Sequence, residues 1–157
     1  MLFYLVGPIQ YVDDYTEWRM DMKYFLEKLG HKVLLPWGLR KHRKNMFQLD
    51  CKELMRQGKY DEAREIVAKE RGLLLTDISC VLKADYLIVY LPSNTKMFGT
   101  SGEVTLAFYL NQYCGMTKKV LIITDFSPDD FPLWILGCSD VIFKSFEDCK
   151  SYIQKAL

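Results

Sequence analysis

Within the seven residues Met97-Phe98-Gly99-Thr100-Ser101-Gly102-Glu103 the chain carries two glycines, two hydroxyls and a carboxylate. A helix that begins here offers backbone N–H groups with no acceptor, and glycines let a ligand come close to them. On that reading Gly99, Thr100, Ser101 and Gly102 are candidate ligand contacts, and Glu103 falls in the first turn, where the helix dipole favours an ionised carboxylate. Two roles are open to Glu103. It is either the capping-box partner of an earlier Thr or Ser, or a carboxylate aimed at a ligand crevice. Asp77 heads a short predicted helix and is either a plain N-cap or the second acid of a pair with Glu103. Two carboxylates in one partly buried pocket split their pKa values and can divide nucleophile and acid roles, as in glycosidic bond cleavage. Asp85, just ahead of an apolar run, reads as a turn residue.

Other chemistry is sparse. No Ser-His-Asp grouping has supporting loop chemistry, and neither G-x-x-x-x-G-K-[ST] nor G-x-G-x-x-G occurs, so NTP and dinucleotide binding of the usual kinds are unsupported. Cys51, Cys80, Cys114, Cys138 and Cys149 are odd in number, none in C-x-x-C spacing, and the histidines are His31 and His42 alone. Free thiols in a reducing compartment and no metal site or cofactor are expected. Arg40-Lys41-His42-Arg43-Lys44 either holds a phosphate or is a solvated face, and Trp37 either stacks on a planar base or packs in a core or lid.

The elements that must position these residues follow from hydrophobic patterning. Leu2 to Val6 is a short apolar run stopped by Gly7-Pro8, as in a strand buried on both faces. Asp13 and Asp14 can cap a helix in which Trp18, Met22, Phe25, Leu26 and Leu29 keep helical spacing until Gly30. His31 to Leu35 forms a second strand. A charged stretch from Trp37 to Gly72 interrupts the rhythm with candidate helices at 46–56 and 60–70 around Gly58, as a lid or contact surface. Alternation resumes with a helix over 77–83, a strand over 86–91, a helix from about Ser101 to Tyr113 and a strand over 119–124. A loop over 125–132, a strand over 141–143 and a helix over 146–157 close the chain. Five strands with helices between them predict one α/β domain over 1–157. Its doubly wound parallel sheet is flavodoxin-like, in order 2-1-3-4-5, with a helical insertion after the second strand. A ligand then sits beyond the carboxyl ends of the strands, where Gly7, Pro8, Ile9 and the loops 92–102 and 125–137 converge.

Composition bounds the partners. The chain has 157 residues, 50% of them hydrophobic and 26% charged, with 21 Lys and Arg against 20 Asp and Glu. A chain of this size buries roughly two-thirds of its unfolded surface and needs no disulfide or metal staple. The charge balance excludes a polybasic nucleic-acid tail and an acidic disordered chain. No apolar run approaches the roughly 20 residues that span a bilayer, and the N-terminus has no basic signal-like region, so a cytoplasmic protein is expected.

Several stretches together resemble the nucleoside 2-deoxyribosyltransferase-like family, which includes nucleoside and nucleotide N-glycosidases. They are Tyr-Leu-Val-Gly-Pro-Ile at 4–9, Gly-His-Lys-Val-Leu-Leu-Pro-Trp at 30–37 and Thr-Asp-Ile-Ser-Cys-Val-Leu-Lys-Ala-Asp at 76–85. Gly-Thr-Ser-Gly-Glu-Val at 99–104 with Ala107, and Leu-Trp-Ile-Leu-Gly-Cys-Ser-Asp at 133–140, complete the set. The resemblance spans nearly the whole chain, and the order and spacing of the pieces carry it. It implies Glu103 as nucleophile, Asp77 as the acid that assists proton transfer, and Tyr4 as the group that holds the nucleophilic carboxylate. It also implies that Gly7, Pro8 and Ile9 line the site and adds Trp134 to the binding candidates.

The implied reaction is transfer of deoxyribose from a 2′-deoxynucleoside to another nucleobase through a deoxyribosyl ester on Glu103. Two alternatives stand beside it: hydrolysis of deoxynucleoside 5′-monophosphates, and a nucleotide-binding module without turnover. The loop 92–98 has no acid where transferases of the family often carry a second Asp, which makes Asn94 a candidate base contact. Pro132 stands where a transferase subunit lends an Asn to its neighbour. Lys96, the hydroxyls of 93–101 and the basic stretch leave room for a 5′-phosphate. The resemblance further implies a homo-oligomer acting on small molecules; the apolar stretch Phe131 to Leu136 is either a contact in such an oligomer or ordinary core packing, and no membrane or nucleic-acid polymer is expected as partner.

Overall fold

The computed structural model describes residues 1–9, 16–36, 44–69 and 71–157. Its strands are β1 (Leu2–Val6), β2 (Lys32–Leu34), β3 (Tyr86–Leu91), β4 (Lys119–Thr124) and β5 (Val141–Phe143). They form one sheet in order β2-β1-β3-β4-β5, every pair parallel, as the patterning predicts. The helices are α1 (Glu17–Lys28), α2 (Lys44–Arg56), α3 (Tyr60–Lys69), α4 (Arg71–Lys83), α5 (Phe98–Tyr113), α6 (Leu133–Gly137) and α7 (Phe146–Ala156).

Side-chain parity along the strands divides the core in two. Tyr4, Val6, Leu87, Val89, Val120 and Ile122 face α4 and α5, meeting Val81, Val104, Ala107 and Leu110. Phe3, Leu5, Ile88, Leu121 and Ile123 face α1 and α7, meeting Met22, Leu26, Cys149 and Ile153. Strands buried on both faces explain the unbroken apolar runs of β1, β3 and β4. Gly30 ends α1 at φ 82°, and Gly58 turns α2 into α3 at φ 75°, conformations that suit glycine.

Several boundaries differ from those predicted. α4 begins at Arg71 instead of Asp77, because 72–76 contain no helix breaker beyond Gly72 and the Thr76 hydroxyl donates back to the Gly72 carbonyl at 2.6 Å. Asp77 is therefore mid-helix and caps nothing. α5 begins at Phe98, with Met97 as N-cap and no side-chain cap bond, so Glu103 lies in the second turn and no capping box forms. Gly99 and Gly102 sit inside the helix. α6 is an added short helix within the expected loop. Asp13, Asp14 and the basic residues 40–43 lie outside the described residues. Asp85 does tie a turn, accepting the Leu2 N–H at 2.7 Å on Oδ2.

At the amino end of the sheet a buried cation joins three elements. The Lys118 ammonium donates to the carbonyls of Leu82 and Ala84 at 2.7 and 2.8 Å, and the Asn111 amide exchanges hydrogen bonds with the Lys118 backbone. Burial holds the Lys118 amine below its ordinary pKa. Lys118→Met keeps the stem and strands two carbonyls, and is expected to lower the unfolding free energy by about 2–3 kcal/mol. Urea unfolding checks this.

Candidate active site

Parity on β1 decides the site. Tyr4, wholly buried, points to the α4–α5 side, and its hydroxyl donates to Glu103 Oε1 at 2.6 Å. Burial foremost, then the charges of Glu103 and Asp77, push the Tyr4 phenol far above its ordinary pKa, so it stays a proton donor at all working pH values. Burial also raises Glu103, with Asp77 adding to the rise, whereas the Tyr4 hydrogen bond and the charge of Arg19 oppose it. The net position is about 7. A carboxyl near neutrality is available both as nucleophile and as proton carrier.

Tyr4, Glu103 and Asp77 all line one cavity of about 340 Å³, toward the small end of ligand sites at roughly 300–1,000 Å³. It lies at the carboxyl ends of β1 and β3. Val6, Gly7, Pro8 and Ile9 supply one wall, Pro36 another, and Lys96 to Thr100 a third. Gly7 is sterically required. A Cβ there would stand 2.9 Å from Trp18 Cζ2 and 3.2 Å from the Tyr90 carbonyl oxygen. Behind it the buried Arg19 guanidinium donates from Nη2 to the Gly7 carbonyl at 2.7 Å.

The start of α5 faces the same cavity. Its first intrahelical bond runs from the Ser101 N–H to the Met97 carbonyl at 2.9 Å. The N–H groups of Phe98, Gly99 and Thr100 therefore have no acceptor within the helix. Thr100 is buried against the cavity, and Lys96 brings a cation to its rim. Among the described residues no group of three or more His, Cys, Asp or Glu is placed to hold a metal ion.

Of the sequence-derived candidates, Tyr4, Asp77, Glu103, Gly7, Pro8, Ile9, Gly99 and Thr100 converge on this cavity. Four others do not line it. Asn94 is exposed in the loop after β3, its Oδ1 accepting from Thr95. Ser101 and Gly102 lie off the cavity because all of 99–103 is helical and the helical spacing brings Gly99, Thr100 and Glu103 to one side of α5. Trp134 is exposed on α6, its indole donating to Thr105 Oγ1 at 2.8 Å. Trp37 lies outside the described residues. Met97, Phe98 and Pro36 line the cavity without having been singled out. Arg19 was missed although its signal is plain: an arginine in register with Met22 and Leu26 on the buried face of α1.

Among solved structures the chain is similar to a 2-deoxyribosyltransferase from the psychrotolerant bacterium Bacillus psychrosaccharolyticus. The TM-score is 0.60 at 19% identity over 97% of this chain and 92% of that one. It is similar as well to a conserved protein from Enterococcus faecalis V583, with TM-score 0.58 and 16% identity over 99% and 98% of the two chains. A CMP N-glycosidase from Clostridium botulinum matches with TM-score 0.51 and 15% identity over the whole of both chains. Identities this low establish a shared fold. No family profile matches the chain, and no curated protein matches it significantly.

The raised position of Glu103 is also a stability statement. Its carboxyl has an ordinary pKa of 4.5 and sits at about 7 in the fold. The folded state thus holds the proton more tightly, and stability is lost as pH rises through that window. Glu103→Gln removes this loss. The variant is expected to match wild type at pH 4.5 and to exceed it by about 3 kcal/mol at pH 8. Unfolding titrations at the two pH values check it.

Proposed function

We propose that this protein is an enzyme of the nucleoside 2-deoxyribosyltransferase-like family. It cleaves the N-glycosidic bond of 2′-deoxynucleosides with Glu103 as nucleophile and passes the deoxyribose to another nucleobase. The observation that carries the reading is the Tyr4–Glu103 hydrogen bond, 2.6 Å long, at the wall of a cavity that also holds Asp77. The transferase and glycosidase named above, similar over nearly their whole length, support the same chemistry.

In this mechanism Tyr4 orients the carboxylate through Oε1, and Oε2 attacks C1′ of the sugar. The C1′–N bond breaks, its electron pair passes to the base, and Asp77 relays to the departing base the proton that Glu103 gives up in becoming the nucleophile. A deoxyribosyl ester on Glu103 results. A second base attacks C1′ through a ring nitrogen, the ester bond breaks, the pair returns to Glu103, and the proton that the ring nitrogen sheds goes back through Asp77. Absence of a 2′-hydroxyl eases the oxocarbenium-like transition state, which favours 2′-deoxy substrates.

Hydrolysis of a deoxynucleoside 5′-monophosphate to free base and deoxyribose 5-phosphate is the second reading. Lys96 and the N–H groups of Phe98, Gly99 and Thr100 favour it, because together they form an anion site beside the nucleophile. Water then replaces the second base. The loop 92–98, without an acid, fits this reading as well. A binding module without turnover has no use for a hydrogen-bonded nucleophile and acid on one cavity.

A second copy of the chain is the proposed partner. Phe98, Tyr109 and Tyr113 on α5 and Leu133 and Trp134 on α6 are more than half exposed, and α5 carries no charge besides Glu103. Such apolar faces seldom stay uncovered. Light scattering is expected to give a dimer or larger assembly for wild type and monomer for the Tyr109→Glu, Trp134→Glu double variant; monomeric wild type contradicts the proposal.

Base release from a panel of deoxynucleosides and their 5′-monophosphates tests the function, with and without free adenine or cytosine. Release that forms a new nucleoside with added base, and falls at least roughly a thousandfold in Glu103→Ala, is the expected result. Acceptor-independent release confined to monophosphates supports the hydrolase. No release from any donor overturns both.

A further inference from the structure

Arg19 has no exposed surface, although it lies on α1 among the apolar residues that pack under the sheet. Burying a guanidinium there is costly, and a methionine or leucine would pack in the same register without that cost. The guanidinium carbon stands 4.5 Å from the centroid of the Trp18 ring, which itself packs on Tyr90 and Phe146. Nη2 donates to the Gly7 carbonyl at 2.7 Å, and Gly7, Pro8 and Ile9 form a wall of the cavity that holds Glu103. A Cβ at Gly7 would clash with Trp18 Cζ2 at 2.9 Å and crowd Arg19 Nη2 at 3.2 Å, so arginine, tryptophan and glycine form one fitted unit.

We infer that Arg19 is a positioning residue for the Glu103 site: its guanidinium fixes the wall of Gly7, Pro8 and Ile9 and sets a permanent positive charge behind the cavity, which favours the carboxylate form of Glu103. The functional consequence rests on Glu103 as nucleophile; the electrostatic one does not. Glu103 is acted on by Tyr4 from β1, by Asp77 and Cys80 from α4, and by the charge of Arg19, whose guanidinium reaches from α1 to the Gly7 wall of the cavity. Burial and Asp77 favour the protonated acid. The Tyr4 bond and Arg19 favour the anion, and Arg19 alone of these groups is a cation. Lys96 also lines the cavity, but it is exposed, where solvent screens its charge. In the reaction the same charge makes Glu103 a better leaving group when its ester is resolved.

The test reads Glu103 directly. Protein labelled with carbon-13 at the glutamate carboxyls is titrated by NMR, the Glu103 signal being assigned by its loss in Glu103→Gln. Removing a nearby cation raises a carboxyl pKa, so the Glu103 midpoint is expected to rise by roughly a few tenths of a pH unit in Arg19→Met. Arg19→Gln, which keeps a donor for the Gly7 carbonyl and lacks the charge, is expected to shift it likewise and serves if Arg19→Met does not fold. Arg19→Lys restores the charge and holds the midpoint near that of wild type. A midpoint unmoved in a folded, uncharged variant overturns the inference, as does Arg19→Lys behaving like Arg19→Met. The acid limb of the base-release pH profile is expected to move up with the midpoint, whereas a merely structural role lowers activity evenly at all pH values. A shifted midpoint in a protein that releases no base from any donor upholds the role of Arg19 and sinks the proposed function.

Discussion

The hydrogen bond from Tyr4 to Glu103 joins residues 99 positions apart, and the burial of the pair, more than any other effect, sets the protonation of both. A phenol this deeply buried beside two carboxyls keeps its proton, and the carboxyl it serves is turned to a defined direction. The rest of the architecture is arranged around that contact. β1 must be central so that β2 and β3 flank it, and its side-chain parity must put Tyr4 on the α4–α5 side. α5 must start far enough ahead of Glu103 to bring that residue over β1 in its second turn. A one-residue slip of β1 would send Tyr4 to the opposite face and leave a carboxyl buried with no donor.

The site works against the stability of the fold. Burial and Asp77 push Glu103 toward the neutral acid, while Tyr4 and Arg19 pull it toward the anion, and the balance lies near neutrality. Such a balance suits a group that must attack as an anion and later leave as one. The opposite end of the sheet shows the same physics in a structural role. There Lys118 is buried with two carbonyls that accept its hydrogen bonds.

Most of the fold was legible because parallel strands buried on both faces leave unbroken apolar runs. β1, β3, β4 and β5 lie where the runs fall, and the strand order follows from the crossovers. Helix starts were legible less well. Asp77 and Ser101 look like the onset of helices, yet α4 runs back to Arg71, with the Thr76 hydroxyl bonded to the Gly72 carbonyl, and α5 runs back to Phe98, so the expected caps became residues inside helices. The convergence of Glu103 with Asp77 could be argued from strand ends, whereas the Tyr4–Glu103 contact came from a family resemblance and not from spacing. Arg19 escaped because helical periodicity counts apolar positions, and a buried arginine occupies one without being apolar. Asn94 and Trp134 have suitable chemistry for a base, but neither chain direction nor spacing shows that the loop after β3 and helix α6 leave them outside the cavity.

The central claim is that Glu103 bonds covalently to the sugar. Intact and peptide mass spectrometry of protein quenched during turnover of the best donor tests it most directly. The account predicts a deoxyribosyl or deoxyribosyl phosphate adduct on the peptide that carries Glu103, absent from Glu103→Ala and discharged by added base or by water. Donor consumed with no adduct on that peptide, and at an undiminished rate in Glu103→Ala, would contradict it.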